Sequence, residues 1–297
     1  MKTVALFDLN NLAVRTFFAK GVDATTPNPD FQLWKYMTFN SIYQSLFRID
    51  NLSEIIVAVD DRHSWRKVIF PRYKESRKGM REKSEANWDI FYSELDTFSK
   101  ELKDSIPFKV ICVQSAEADD VIGILCLNKR EEDVYTIISN DEDYTQLYDP
   151  MSVEIYNPSR ENYTTCENTE DFIVSKSLTG QSKDDIFNVK TPVDWGLTES
   201  TKGKRKPGFG PKGAEKVMVG DYKKWLEENK LTERFELNRR LIDFKEIPKT
   251  IKSRILSSYN GYKMPDPDGI YKFFRDNKLQ SFLDEYEKVE NSLLRLY

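Results

Sequence analysis

The chain has 297 residues, with 45 Lys and Arg against 49 Asp and Glu and a net charge of −4. At ~150 residues per domain, that length predicts about two domains, and a hydrophobic content of 39% is ordinary for a globular protein. No stretch approaches the ~20 apolar residues that a bilayer-spanning helix needs, MKTVALFDLN meets Asp8 too early for a secretory leader, and a single histidine, His63, argues against a Ser–His–Asp triad or a His-rich zinc site. The three cysteines, Cys112, Cys126 and Cys166, have no metal-ligand spacing and point to a reducing cytoplasm.

Short β-branched runs at Val4–Phe7, Ile55–Val59, Val110–Val113 and Val134–Ile138 read as buried parallel strands. Between the second and third, Trp88, Phe91, Tyr92, Leu95, Phe98 and Leu102 predict an amphipathic helix. Ser115 is placed to cap a helix carrying Val121, Ile122 and Leu125. Strands alternating with helices predict a doubly wound α/β domain. From about Gly180 onward the strand pattern fades. Tyr222, Trp225 and Leu226, then Phe235, Leu237, Leu241 and Ile242, then Ile251, Ile255 and Leu256 suit helices, with Pro248 in the first turn of one. The expectation is an α/β domain over residues 1–180 and a smaller helical domain over 181–297.

Charge is unevenly spread. A basic segment, 62–85, holds nine Lys and Arg against two Glu as far as Lys83, and six more cations lie between Lys202 and Lys216 around a glycine-rich turn. Local patches matter more than net charge for a polyanionic partner. Either patch alone reads equally well as a solvated face.

Acids stand where the strands end: Asp8 after VALF, Asp60 after IIVAV, and Asp141 with Asp143 after YTIISN. Ligands of an open parallel sheet bind outside the carboxyl ends of its strands, so these acids can converge on one crevice. Glu117, Asp119 and Asp120 open the helix after another strand, and Asp184 and Asp185 begin the helical half. Clustered carboxylates must take up protons or bind cations. An all-oxygen set favours a hard ion such as Mg²⁺, and two such ions suit phosphodiester hydrolysis. A single Asp after a strand is more often a turn residue or helix cap than a ligand; repetition at successive strand ends carries the reading. Spacing on a regular helix puts Glu117 and Asp120, rather than Asp119, on one face.

FDLNN, VDDRHSWRK, RYKESRKGMR, EADD, SNDEDYTQL and GQSKDDI occur in an order that resembles the flap endonuclease and 5′-exonuclease family. The resemblance is greatest to its T-even-phage replication ribonuclease H branch and extends through LIDFKEIPKTI and YNGYKMPDPDGIYKFF. It implies a PIN-like parallel-sheet 5′-nuclease domain followed by a helical domain with a helix–hairpin–helix element. It implies a first metal site of Asp8, Asp60, Asp119 and Asp141 supported by Glu117, and a second of Asp143 and Asp184, both holding Mg²⁺ with Mn²⁺ as substitute. In the family an acid usually stands where this chain has Gln181, so the second ion is expected to bind weakly. The resemblance matches Lys74 and Arg81 to a pair beside the scissile phosphate. Arg77 and Lys78 share their helical spacing and are expected to grip the strand in an arch, poorly ordered without substrate because of Gly79 and few apolar residues. Gly208, Phe209, Gly210, Pro211, Lys212, Gly213 and Ala214 match the hairpin, which in the family also holds K⁺. Lys202, Lys204 and Arg205 belong to a long insert, 190–207, expected to anchor a duplex arm.

The activity implied is structure-specific 5′–3′ cleavage of flaps, nicks and RNA–DNA hybrids, including removal of RNA primers in replication, in a host cytoplasm if the chain is viral. A single-stranded-DNA-binding protein and a sliding clamp are the partners the family suggests, although NSLLRLY holds no clear clamp peptide. Two alternatives stay open. A branched-DNA-binding module without catalysis conflicts with seven retained acids, and a magnesium-dependent phosphatase of the haloacid dehalogenase kind wants an acid where Asn10 stands.

Overall fold

The computed structural model describes residues 1–26 and 28–297. Its chain forms two compact units, one of Met1–Ser64, Ser84–Thr165 and Lys249–Tyr297, the other of Trp65–Lys83 and Cys166–Pro248.

The first unit is built on a six-stranded sheet. The strands are β1 (Thr3–Asp8), β2 (Glu54–Val59), β3 (Lys109–Cys112), β4 (Val134–Ile138), β5 (Val153–Asn157) and β6 (Asn162–Thr164), in the order β3-β2-β1-β4-β5-β6. Every pairing is parallel except β5 with β6. The four apolar runs are the first four strands. β5 and β6 have no such signal, because Glu154 breaks the apolar run and Asn162 and Tyr163 face solvent. From β1 the chain steps outward to β2 and β3, then crosses back to β4 on the other side of β1. The strand order therefore reverses between β1 and β4, which is where an open sheet offers a crevice. Phe7 pairs with Ile138 and Asp8 with Ala58, so the chain leaves β1, β2 and β4 at one level.

An aromatic core covers one face. Helix Phe31–Tyr43 contributes Trp34 and Phe39, helix Trp88–Ser105 contributes Phe91, Leu95, Phe98 and Leu102, and helix Gly269–Asp276 contributes Phe273 and Phe274, all buried. Burying each such side chain stabilises the unit by roughly 1.5–3 kcal/mol. The Trp34 indole N–H is not wasted there; it donates to the Ala13 carbonyl at 2.9 Å. On the other face, helix Ala118–Leu127 packs on β1 and β2, and helix Lys249–Asn260, directly after Pro248, packs on it. Ser115 does not cap Ala118–Leu127. It lies outside the helix at φ 66°, and Glu117 is the cap, its backbone N–H bonded to Asp120 Oδ2 at 2.9 Å.

The second unit is helical. Helices Thr169–Thr179, Pro211–Met218, Tyr222–Glu228 and Thr232–Ile242 bury Val174, Leu178, Ala214, Leu226 and Phe235 together with Val189. Phe70 and Tyr73 join Ile186, Leu241 and Ile242 in a second cluster. The compact units thus differ from a linear division at 180. The basic segment packs with the helical half through Phe70 and Tyr73. The last 49 residues, Lys249–Tyr297, return to the sheet unit because Ile270, Phe273, Phe274 and Phe282 complete its aromatic core. Among the described residues no helix is long and apolar enough to cross a membrane.

Candidate active site

Asp8, the last residue of β1, caps helix Leu9–Phe17: its Oδ1 accepts the Asn11 N–H at 2.8 Å, and its Oδ2 accepts the Tyr144 hydroxyl at 3.3 Å. Asp60, just beyond β2, accepts the Ala118 N–H at 2.7 Å, while its own N–H donates to Asn10 Oδ1 at 2.9 Å. Asp141 caps the 3₁₀ turn Glu142–Leu147 and accepts the Asp143 N–H at 3.0 Å. Each of these bonds comes from a neutral donor, which orients a carboxylate without cancelling its charge.

Tyr144 reports how these groups converge. Its buried hydroxyl is held well above the ordinary tyrosine range, first by burial and then by the negative charges of Asp8, Asp119, Asp141 and Asp60. Four acids from four separate segments therefore act on one phenol. Deprotonation there would add a fifth negative charge, so the phenol stays a donor. Nothing in the composition or spacing marks Tyr144; its part follows only from the turn after β4.

Oxygen atoms of Glu117, Asp119 and Asp120 lie within 4.8 Å of one another. Asp120 is fully buried and bonds the Glu117 N–H, whereas Asp119 is partly exposed and acts on Tyr144. Helical spacing alone pairs Glu117 with Asp120, and that pairing is the helix cap. Asp119 is the member whose charge acts on Tyr144 together with those of Asp8, Asp60 and Asp141. Ser64 Oγ, 3.2 Å from Glu117 Oε2, completes the group. The donor set is entirely oxygen, with no histidine or thiolate, and fits a hard divalent cation. Asp143, partly exposed in the turn after Asp141, lies beside the set in sequence.

In the second unit, Asp184 is buried at the end of the 3₁₀ turn Ser182–Asp184. Gly180 makes the turn possible: at φ +70° a Cβ would stand 2.3 Å from the Ile186 carbonyl oxygen. Gln181 is buried beside it and exchanges backbone hydrogen bonds with Ile186. The Arg77 guanidinium bonds Asp184 Oδ1, and Lys74 donates its N–H to the Asp184 carbonyl at 3.0 Å. Residues Ser76–Lys83 form a helix that buries none of its side chains. Lys74 precedes that helix with φ 55°, so the expected common face of Lys74, Arg77, Lys78 and Arg81 does not exist. The reason is a contact distant in sequence: Ser76 donates its N–H to Asp185 Oδ2 at 2.7 Å, which starts the helix there. Arg77, expected to grip nucleic acid, is bonded to the Asp184 carboxylate in this structure.

Pro211 opens helix Pro211–Met218 after Gly210. A Cβ on Gly208 or Gly210 would meet nothing within 4 Å, so the fold itself does not require glycine there. Phe209 stacks on Trp225 with centroids 5.4 Å apart, and Lys190 Nζ lies 5.0 Å from the Phe209 centroid. Lys202, Lys204, Arg205 and Lys212 are exposed, and Lys202 pairs with Glu199 at 3.5 Å.

A family model described as 5′-3′ exonuclease, N-terminal resolvase-like domain, matches residues 3–176, more than half of the chain. The chain belongs to the 5′–3′ exonuclease family. A second model, described as T4 RNase H, C terminal, matches residues 168–289. Ribonuclease H of Enterobacteria phage T4 is 28% identical over 294 residues, covering 95% of each chain. Flap endonuclease Xni of Photobacterium profundum is 31% identical over 188 residues, 59% of this chain and 64% of that protein. Among solved structures, the bacteriophage T5 flap endonuclease in a pseudo-enzyme–product complex with DNA and metal ions superposes with a TM-score of 0.62 at 19% identity, covering 93% of this chain and 98% of the other. The T5 5′-exonuclease with bound zinc gives 0.61 at the same identity and coverage. These two likenesses show a shared fold. Family membership makes the chain a metal-dependent 5′–3′ nuclease, and Glu117, Asp119 and Asp120 form an acidic cluster able to hold a metal ion.

Proposed function

We propose that this 5′–3′ nuclease hydrolyses phosphodiesters at junctions between duplex and single strand, in flaps, nicks and RNA–DNA hybrids, and removes RNA primers during replication. The observation that carries the reading is the convergence of Asp8, Asp60, Asp119 and Asp141 on Tyr144 at the carboxyl ends of the sheet. When bound, two Mg²⁺ ions would activate water for attack and stabilise the leaving oxygen. Asp8, Asp60, Asp119 and Asp141, with Glu117, would hold the first ion. Asp143 is assigned to the second, and Asp184 joins it on family resemblance. The Asn11 and Ala118 N–H groups and the Tyr144 hydroxyl keep Asp8 and Asp60 oriented through the reaction.

Lys74 and Arg81 are assigned to the scissile phosphate, where fixed positive charge counts most as negative charge develops. Lys78 grips the strand. Gly208, Gly210, Lys212 and Gly213 form a surface on which duplex phosphates approach the backbone closely, with K⁺ as the ion of the turn. The open space around Gly208 and Gly210 supports that reading. Lys202, Lys204 and Arg205 extend it. A single-stranded-DNA-binding protein and a sliding clamp are the proposed protein partners, in a host cytoplasm.

The test is to digest end-labelled flap, nicked and RNA–DNA hybrid substrates side by side while titrating Mg²⁺ and Mn²⁺. Metal-dependent products shortened from the 5′ end are expected. Absence of cleavage of every branched substrate with either ion defeats the nuclease reading, and cleavage of DNA without hybrid cleavage removes the primer role.

A further inference from the structure

In the second unit, three cations gather at one phenyl ring. Lys206 Nζ stands 3.8 Å from the Phe187 centroid, the Arg72 guanidinium carbon 5.1 Å and the Arg234 guanidinium carbon 5.9 Å. A ring has two faces, so at least two of the three share one. They come from separate segments: Arg72 from the basic segment, Lys206 from the end of the insert and Arg234 from helix Thr232–Ile242. The ring attracts each cation but does not screen one from another. Like charges gathered in this way destabilise the folded chain unless an opposite charge stands among them.

Arg234 is the informative residue, only 9% exposed. Its Nη2 donates to the Phe187 carbonyl at 3.2 Å, but its Nε and Nη1 are buried without a hydrogen-bond partner. Burial first, and then the charge of Arg72, pushes its guanidinium down to about 10. The carboxylates nearby are engaged: Glu75 accepts from Arg72 Nε at 3.3 Å, and Asp185, whose charge acts on Lys206, accepts the Ser76 N–H. One turn along the helix, Asn238 Nδ2 donates to the same Phe187 carbonyl and to the Ser177 carbonyl, both at 2.8 Å. Two carbonyl acceptors fix which end of the amide is nitrogen, so the buried Asn238 Oδ1 is an acceptor, and it has no partner. Orphan donors and an orphan acceptor thus lie on side chains that meet at one carbonyl. A water could bridge them but would offset no charge. Monohydrogen phosphate does both: its bare oxygens accept from cations and its one P–O–H donates.

We propose that Arg234, Arg72, Lys206 and Asn238 form a site for inorganic monohydrogen phosphate within the helical unit. Arg234 Nε and Nη1 are its main donors, Lys206 closes it from the surface, and Asn238 Oδ1 takes the phosphate proton. Arg72 is already held for the task, its Nη1 donating to the Val193 and Trp195 carbonyls at 3.0 and 2.8 Å. The inference goes beyond the nuclease reading and stands without it. A phosphodiester within a strand has no P–O–H to give Asn238, and the burial of the orphan atoms favours a small free ion over a nucleotide.

The experiment is isothermal titration of sodium phosphate, and of sodium sulfate at the same ionic strength, into the full chain and into Arg234→Met, Arg234→Lys and Lys206→Ala. Chelator is present throughout, so that phosphate cannot bind through a metal at the acid ring. The parent is expected to bind phosphate saturably and sulfate about tenfold or more weakly, because sulfate brings no proton to Asn238 Oδ1. Arg234→Met should weaken phosphate binding by about tenfold or more, since a charge and its donors are lost. Arg234→Lys should recover part of the loss, because lysine keeps the charge without the fork of donors. Lys206 is exposed, so Lys206→Ala should fold and lose about threefold, the scale of one screened charge; it keeps the proposal testable if the Arg234 variants fail to fold. Absence of saturable phosphate binding to the parent overturns the site and leaves a bridging water. Equal affinity for sulfate overturns the assignment of Asn238 and of the protonated ion. Parental affinity in folded Arg234→Met, or in Lys206→Ala if only that variant folds, puts the phosphate elsewhere. Displacement of phosphate by deoxyadenosine monophosphate or by a closed circular duplex, at concentrations below that of the phosphate, overturns the inorganic ion in favour of a nucleotide or a strand.

Discussion

Two groups of carboxylates in this chain are treated differently by their surroundings. In the sheet unit, Asp8, Asp60 and Asp141 accept bonds from backbone N–H groups or a phenol, and with Asp119 they project enough negative charge to push Tyr144 well above its usual range. In the helical unit, the buried Asp184 is bonded to the guanidinium of Arg77. Neutral donors fix direction and leave a field for a cation. An arginine fixes direction and offsets the field as well. A metal proposed for the first arrangement would meet carboxylates oriented by these donors, whereas one at Asp184 would meet a carboxylate already bonded to Arg77.

The largest effects should come from breaking the first arrangement. Asp119→Asn and Asp141→Asn are each expected to lower single-turnover cleavage by about a thousandfold or more, the scale of losing a major electrostatic stabiliser. Substrate binding should hold or tighten, because repulsion of phosphate falls. Near-parental cleavage by either variant removes that residue from the metal set. Next come Lys74→Ala and Arg81→Ala, expected to cost about a hundredfold in single-turnover rate at saturating enzyme with little loss of affinity. Lys78→Ala, on the exposed helix Ser76–Lys83, should instead weaken binding and recover at saturation. Equal losses in all three would reduce the basic segment to a charged surface.

Smaller effects sharpen the contrast at Asp184. Arg77→Ala releases the carboxylate, so Mn²⁺ binding followed by electron paramagnetic resonance should tighten by up to about fivefold, in line with the ~1 kcal/mol ceiling for a pair with one partner partly exposed. Weaker Mn²⁺ binding would mean that Arg77 positions Asp184 for the ion rather than competing with it. The smallest change is expected for Gln181→Asp, which adds one negative charge beside the same turn. The Mg²⁺ concentration for half-maximal cleavage should fall about twofold to threefold, the size of a modest screened interaction. A midpoint that stays or rises places Gln181 away from the ion.

Much of this could be read from the chain itself. Short β-branched runs favour buried strands, so β1 to β4 and the acids at their ends were visible in order. The amphipathic spacing of Trp88 to Leu102 specified its helix, and the motif order specified the family, because both are local patterns. Longer-range facts were hidden. β5 and β6 lack a continuous apolar run and exist because β4 presents an edge to pair with. Lys74 leaves the expected helical face because Asp185, more than a hundred residues away, receives the Ser76 N–H and starts the helix late. The return of Lys249–Tyr297 to the sheet unit depends on where a gap in an aromatic core is left to fill. By itself, then, the sequence determined the first four strands, the amphipathic helix of Trp88 to Leu102 and the kinds of chemistry available, since these follow from the periodicity and composition of adjacent residues. Only the tertiary structure decided that Asp120 is tied to the Glu117 N–H, that Tyr144 lies where four aspartates act on it and that Arg77 is paired with Asp184. Each depends on which donors distant segments bring within about 3 Å, a distance that hydrogen bonding requires and local pattern does not encode.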